Sequence, residues 1–463
     1  MPTFVHEASF PFAQEEVWNW YDGYGAFLRI MPEWEGLKPV QVGALKDDEE
    51  TKFRIKLGPF RPMWVARHHD VRPGESFSDS MVKGPFGKWD HTHDIQSISQ
   101  TESKVVDSIE WKLPFHFFTG WTSFLTVAPR LKKMFRFRTD RTASDVAAIS
   151  KTTHLPRKKI LVTGSTGLIG TQLCAFLECA GHDVHRLVRP STKLPKTVRR
   201  THVIQWNEAT GEILDGDLNG FDTVIHLAGA GIGDKRWSKK RKALIRSSRV
   251  ETTKRLCEVL AQLTSPPQQF LCGSAIGFYG NRGNEKLTEG SSIGNGFLPE
   301  LCQEWEQSTR PLQDMDVKIV YLRTGLVMTP MGGIMKRLLL PAKFGALGPV
   351  GSGKQMQSWI SLDDEIYAIH HLMMDNASEG PYNLTAPLPV SQKEFAKNLG
   401  RVLKRPAFAP LPGFVIKMVF GEMGKQLVLD GQEVYPERLM ESGFEFTHTS
   451  LESCFRHCLG MQK

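Results

Sequence analysis

The sequence of 463 residues predicts an α/β chain. A doubly wound parallel sheet is expected over residues 159–385. A small, mostly helical C-terminal domain follows over 386–463, and an α+β domain over 1–150 precedes both. Three observations carry this. Residues 159–170, KILVTGSTGLIG, run an apolar β-type stretch into three glycines and then a helical pattern. After residue 158, short apolar runs alternate with helical periodicity, as in a parallel sheet covered on both faces. Before residue 150, polar and apolar residues alternate as in half-buried strands, and seven of the eleven tryptophans lie there.

Taken in order, residues 15–20 read as a short helix, and 51–57 and 105–113 as strands with one buried face. Leu131, Met134, Phe135, Arg138 and Thr142 have helical spacing, although Phe135 and Phe137 also suit a strand. The region reads as a curved antiparallel sheet wrapped around a long helix. His91 and His93 alternate along a strand and share a face. A metal would need two further ligands that the sequence does not single out. The pair is read as hydrogen-bonding histidines, and no metal site is expected. Residues 151–158, polar with one proline, form the expected linker.

Ile160, Leu161 and Val162 then form a strand leading to Gly164, Gly167 and Gly170. Leu173, Phe176, Leu177 and Ala180 continue as a helix, and 184–188 as a second strand. Glycines permit the tight turn and close approach of a pyrophosphate, and the helix N-terminus supplies free N–H groups and a positive dipole end. The loop Gly164, Ser165, Thr166, Gly167, Leu168, Ile169, Gly170 is therefore the expected dinucleotide site. Ser165, with Ser191 or Thr192, offers hydroxyls to phosphate. An acidic residue about 20 residues past the glycines favours NAD. This chain has Arg186 and Arg189 in that region, while Asp183 comes too early. An arginine at the strand end pairs with a 2′-phosphate, so NADP is expected, with NAD as the alternative.

Further strands are expected at 223–230, 270–275 and 318–323, with helical segments at 239–263 and 298–315 between them. Asp363 and Asp364 read as helix-capping residues. From about residue 390 the pattern is mostly helical with proline breaks.

No apolar run approaches the ~18–20 residues of a membrane span. The first residues lack a basic segment followed by an apolar one, so no signal peptide is expected. Seven scattered cysteines without Cys-x-x-Cys spacing suggest reduced thiols and a cytoplasmic protein. The net charge is +8, and its densest run, residues 235–242, sits in no nucleic-acid-binding motif. Nucleic acid is not the expected partner; anionic phosphate ligands suit the surplus better.

Two resemblances extend this reading. Residues 10–18, 25–34 and 84–93 resemble the helix-grip superfamily (SRPBCC, START/polyketide-cyclase-like), which implies an apolar cavity between sheet and helix and an apolar ligand in it. Residues 158–463 resemble an extended, atypical short-chain dehydrogenase/reductase. More narrowly they are similar to the sugar-nucleotide-epimerase-like family with a C-terminal DUF1731-like domain. The carrying segments are 162–170, 226–232, Arg236 and Trp237 with Ser248 and Arg249, 274–280, 297–306, 322–327, 358–364 and 421–446. The resemblance implies a Rossmann-type fold, with Leu227, Ala228 and Gly229 also at the cofactor. Arg236 and Trp237 would lie near the substrate.

Active relatives use a Tyr-x-x-x-Lys pair on a helix, the lysine lowering the tyrosine pKa for proton transfer. The corresponding positions here are about Leu298 and Cys302, and the usual Ser/Thr position is Ala275. Ser274 and Tyr279 remain as candidate catalytic hydroxyls. The first functional reading is an NAD(P)-binding epimerase or oxidoreductase acting on a small polar or nucleotide-linked substrate. The second is a non-catalytic NADP-binding module coupled to an apolar-ligand domain. The sequence carries no signal for oligomeric state.

Overall fold

The computed structural model describes residues 1–114, 116–199 and 202–462; for 116–126 it describes the backbone alone. The chain divides into two compact units. One is Met1–Arg157 with Cys174–His182 and Lys193–Thr201; the other is Lys158–Leu173, Asp183–Thr192 and His202–Lys463.

The first unit begins with β1 (Thr3–Phe10), α1 (Gln14–Asp22) and α2 (Ala26–Arg29). Then come β2 (Lys38–Gln41), β3 (Glu50–Arg54), β4 (Met63–Arg72), β5 (Ser76–Lys83), β6 (Lys88–Ser97), β7 (Ser103–Lys112) and α3 (His116–Ser150). The strands form one antiparallel sheet in the order β1-β7-β6-β5-β4-β3-β2. Period-2 alternation decides its inner face: Val105, Asp107, Ile109 and Trp111 on β7, and Trp89, His91, His93 and Ile95 on β6, are buried. α3 lays Leu131 and Phe135 against Trp64, Ile109 and Trp111. Phe135 and Phe137, ambiguous in the sequence, are both helical. A cavity of about 670 Å³ is lined by the sheet, by α1 and by α3. Arg29 and Asp145, both fully buried, pair in two parallel bonds of 2.8 and 2.6 Å, and Trp20 Nε1 donates to the same carboxylate at 3.2 Å.

From residue 158 the chain runs β8 (Lys159–Thr163), α4 (Leu168–Cys179), β9 (Asp183–Val188), β10 (Val203–Trp206), β11 (Ile213–Asp215) and β12 (Thr223–His226). Next are α5 (Lys239–Ser247), α6 (Val250–Ala261), β13 (Gln269–Ala275), β14 (Lys286–Leu287), α7 (Phe297–Gln307), α8 (Arg310–Gln313), β15 (Lys318–Thr324) and β16 (Leu326–Met328). α9 (Gly333–Lys343), β17 (Met356–Gln357), β18 (Trp359–Ser361), α10 (Leu362–Met374) and β19 (Gly380–Leu384) follow. The chain ends with β20 (Val390–Ser391), α11 (Gln392–Leu403), α12 (Gly413–Gly424), β21 (Glu433–Val434), α13 (Glu437–Glu441) and α14 (Leu451–Cys458).

Eight of these strands form a sheet in the order β11-β10-β9-β8-β12-β13-β15-β19. All its pairs are parallel except β10 with β11. β12 is buried at every residue and β13 at all but the last, because both faces are covered; this is why they read as continuous apolar runs. Ile160, Leu161 and Val162 are fully buried, each contributing about 1.5–3 kcal/mol. Strand order reverses between β8 and β12, the point at which ligands bind in open α/β sheets.

The two long helical segments expected at 239–263 and 298–315 are each broken in two. Arg249 ends the first, because its Nη1 turns back to the carbonyls of Ala230 and Ile245 at 3.0 and 3.3 Å. The second breaks before α8, whose Pro311 has no N–H to return to α7. Residues beyond 385 interleave with earlier ones. β14 pairs with β21, β17 pairs with β20, and Phe395, Leu399, Leu451 and Phe455 share one core with Met335 and Trp359. Among the described residues no helix is long and apolar enough to cross a membrane.

Candidate functional site

The carboxyl ends of β8 and β12 hold the two glycine-containing segments. Gly164 has φ +68° and approaches the second segment so closely that a Cβ would lie 2.7 Å from the Leu227 carbonyl and 2.8 Å from Ala228 N. Only glycine fits. A Cβ on Gly170 would lie 2.3 Å from the Gly164 carbonyl oxygen, so the helix start presses against the turn. Gly167 differs: its Cβ would meet only the Gly164 oxygen, at 3.1 Å, with open space beyond. Thr166 lies in the turn, and Leu168 and Ile169 open α4. The Ser165 hydroxyl is buried and has no hydrogen-bond partner among the described residues. An orphaned hydroxyl, a bare glycine and a helix N-terminus together form a cradle with the chemistry to hold an anion.

Beneath it, Thr163 Oγ1 and His226 Nδ1 lie 2.7 Å apart, and His226 Nε2 lies 2.9 Å from Thr253 Oγ1. Burial pushes His226 down to about 4, so the imidazole is neutral and ties the strand ends to α6. The loop after β12 is fastened by cations. Arg249 donates to Ala230 O, Arg241 to Gly231 O and Arg337 to Gly233 O, and Ser248 Oγ accepts from Ala230 N at 3.0 Å. The Arg249 guanidinium would lie 3.1 Å from a Cβ on Gly229.

Arg189 follows β9, is 59% exposed and pairs with Glu208 at 3.3 Å. An exposed pair of this kind is worth little and yields readily to a stronger anion. Arg186 lies within β9 and is buried. Arg236 is exposed beside Gly421. Trp237 donates from Nε1 to Ile232 O at 2.9 Å and meets Phe297 edge-on at 5.0 Å.

The two candidate catalytic hydroxyls belong to one buried network. Ser274 Oγ donates to Glu306 at 2.7 Å. Arg323 donates to both Glu306 oxygens at 2.8 Å and to Tyr279 OH at 3.0 Å. Tyr279 OH donates to Asn383 Oδ1 at 2.7 Å. Burial pushes the Tyr279 phenol above its ordinary value, against the opposing effect of Arg323. Leu298 and Cys302, at the positions of the usual tyrosine and lysine, are both buried facing Gly277. Burial raises the Cys302 thiol to about 12, so it carries no thiolate at neutral pH.

Several participants escaped the sequence reading. Glu306, Arg323 and Asn383 come from three separate elements, and only the fold brings them together. Glu365, in the first turn of α10, accepts from Thr324 Oγ1 at 2.8 Å while its other oxygen is buried without a partner among the described residues. Burial raises it to about 8. The cap of α10 is Ser361, whose Oγ accepts from Asp364 N at 2.9 Å, rather than the aspartates after it. Asp364 instead accepts from Thr447 N and His448 N at 2.7 and 3.1 Å.

Residues 160–385 match the model of the NAD dependent epimerase/dehydratase family, and 411–458 match Domain of unknown function (DUF1731). Epimerase family protein Mb2239 of Mycobacterium bovis is 37% identical over 292 residues, covering 63% of this chain and 94% of that protein. YfhF of Bacillus subtilis is 33% identical over 305 residues, covering 66% and 99%. Among solved structures, a nucleoside-diphosphate sugar epimerase from Corynebacterium glutamicum is 29% identical with TM-score 0.78, over 100% of this chain and 91% of that one. Human epimerase family protein SDR39U1 with NADPH is 30% identical with TM-score 0.59, over 65% and 98%. With relatives above 30% identity spanned almost end to end, the chain belongs to the NAD dependent epimerase/dehydratase family.

Proposed function

We propose that residues 158–463 form an NADP-dependent epimerase or oxidoreductase acting on a nucleotide-linked or similarly anionic small substrate. The observation that carries this is the cradle at the switch point: Gly164 locked against Leu227 and Ala228, with Ser165 buried and unpartnered. Gly164, Ser165, Thr166, Gly167, Leu168, Ile169 and Gly170 hold the pyrophosphate. Leu227, Ala228 and Gly229 form the opposite wall, and Arg189 exchanges Glu208 for the 2′-phosphate. The human relative is described with NADPH and the Corynebacterium relative as a nucleoside-diphosphate sugar epimerase, which supports both assignments. The bound nicotinamide supplies hydride chemistry. Arg236 attracts the anionic part of the substrate, and Trp237 braces the loop between them.

Ser274 and Tyr279 act in this reading as positioning residues. Their hydroxyls are committed to Glu306, Arg323 and Asn383, and neither has the neighbouring lysine that would lower its pKa. The network fixes the end of β13. In the first unit, the antiparallel sheet, the long α3 and the 670 Å³ cavity support a helix-grip (SRPBCC, START-like) domain that takes an apolar ligand. All seven cysteines are buried and outside any disulfide, which supports a reducing compartment, assigned to the cytoplasm.

Titration with NADPH and with NADH, followed by nucleotide fluorescence, tests the cofactor assignment. NADPH is expected to bind more tightly, and Arg189→Ala to erase most of that preference. Equal affinity for both in the wild type would refute the arginine argument, and binding of neither would refute the site. A panel of nucleoside-diphosphate sugars then tests for turnover.

A further inference from the structure

A buried polar cluster of the first unit lies on the inner face of its sheet, in the wall of the cavity. Cross-strand register puts Asp79 of β5 opposite His91 of β6, and Asp107 of β7 opposite His93. His91 and His93 are 5% exposed each, and their rings lie 3.8 Å apart. Asp79 Oδ2 is 3.3 Å from Nδ1 of His91 and 3.7 Å from Nε2 of His93. On the other side, Asp107 Oδ1 is 3.1 Å from Nε2 of His91 and 2.6 Å from Nδ1 of His93. Phe77 stacks on the His93 ring with centroids 4.1 Å apart.

This is the layout of a cation site with an outer shell. One nitrogen of each ring and one carboxylate oxygen converge, the three ligand atoms all lying within 4.8 Å of one another. Ligands about 2.0–2.1 Å from a tetrahedral zinc-type ion stand roughly 3.3 Å apart, which the spacings of 3.3 and 3.7 Å approach. The outward Nε2 of His91 is hydrogen-bonded to Asp107, as in metal-bound histidines whose outer carboxylate fixes ring orientation and tautomer, while Nδ1 of His93 touches the same oxygen without hydrogen-bond geometry. Asp79, His91 and His93 all line the cavity, so a fourth coordination position opens onto its apolar space.

We propose that Asp79, His91 and His93 bind one divalent zinc-class cation, that Asp107 orients the His91 imidazole through its hydrogen bond, and that the open position takes an oxygen or nitrogen donor of a largely apolar ligand. Two imidazoles and one carboxylate leave the bound cation one positive charge, which Asp107 offsets in the outer shell, and Arg138 of the same cavity wall adds a second positive charge beside Asp79 and Asp107. A buried His–Asp cluster without metal is the competing account.

Full-length protein, stripped with a chelator, is titrated with Zn(II) by calorimetry and with Co(II) by visible absorption. One equivalent is expected, with the intense bands of four-coordinate Co(II). Asp107→Asn should weaken binding about 10–100-fold, and the His91→Gln/His93→Gln double variant should abolish it. Circular dichroism of each variant checks that the chain is folded. Failure of the wild-type protein to take up one equivalent at micromolar cation overturns the proposal without any variant. So does uptake that survives the double substitution, or Co(II) bound only with the weak spectrum of a six-coordinate ion.

Discussion

Gly164 and Gly167 sit three residues apart in one loop, yet substituting them by alanine should damage different properties. A non-glycine residue at φ +68° pays about 1–2 kcal/mol for the left-handed backbone. The Gly164→Ala methyl also arrives 2.7–2.8 Å from backbone atoms of Leu227 and Ala228, which have no flexible end to swing away. Overpacking of this kind costs about 1–3 kcal/mol. Together these make about 2–5 kcal/mol of lost stability, or roughly 4–20 °C in melting temperature for a domain of this size. Gly167 escapes both penalties: its Cβ meets one carbonyl oxygen at 3.1 Å and otherwise points into open space. If that space belongs to the pyrophosphate, Gly167→Ala should melt within a few degrees of wild type but bind NADPH at least about tenfold more weakly, a change of about 1.4 kcal/mol. Thermal melting without nucleotide and fluorescence titration with NADPH separate the two effects. Wild-type NADPH affinity in Gly167→Ala would refute the cradle, and wild-type melting in Gly164→Ala would refute the packing argument.

Three further outcomes are expected. Asp145→Ala removes the carboxylate that holds the buried Arg29 in two bonds and should cost about 3–5 kcal/mol in denaturant unfolding of the first unit; a loss below 1 kcal/mol would show that water reaches the pair. Tyr279→Phe leaves Arg323 Nη1 and Asn383 Oδ1 short of a bond and should cost about 1–3 kcal/mol. NADPH affinity should remain unchanged, and its loss would return Tyr279 to the cofactor. Glu365 has an ordinary value of 4.5 that burial raises to about 8. Between those values the folded chain keeps a proton that the unfolded chain releases, so stability falls as pH rises, by up to about 1.4 kcal/mol per unit. Below that window Glu365 contributes no pH dependence, and Glu365→Gln should flatten the decline in denaturant midpoints between about pH 5 and 8.

What the sequence made legible was local. The β8–glycine–α4 unit declares itself because strand, turn and helix chemistry are contiguous from Lys159 onward. The parallel sheet follows from the spacing of its buried strands. Interactions that depend on tertiary register were not legible in the same way. Glu306, Arg323 and Asn383 stand far apart along the chain, and nothing in their neighbours marks them as partners. His91 and His93 were visible as a same-face pair, but Asp79 and Asp107 become their partners only once the β5-β6-β7 register is fixed. Of the two helix breaks, the one before Pro311 carries a signal in the sequence itself, whereas Arg249 is an unremarkable helical residue until its guanidinium finds the carbonyl of Ala230.

The interleaving of the last residues with earlier ones governs when the nucleotide half can finish folding. As the chain leaves the ribosome, Leu287 must wait for Val434 to complete its two-stranded pairing, and Trp359 must wait for Phe455 to close its core. Until synthesis is nearly over, that apolar surface stays open. Premature termination near residue 385 would therefore leave that apolar surface exposed and protease-sensitive.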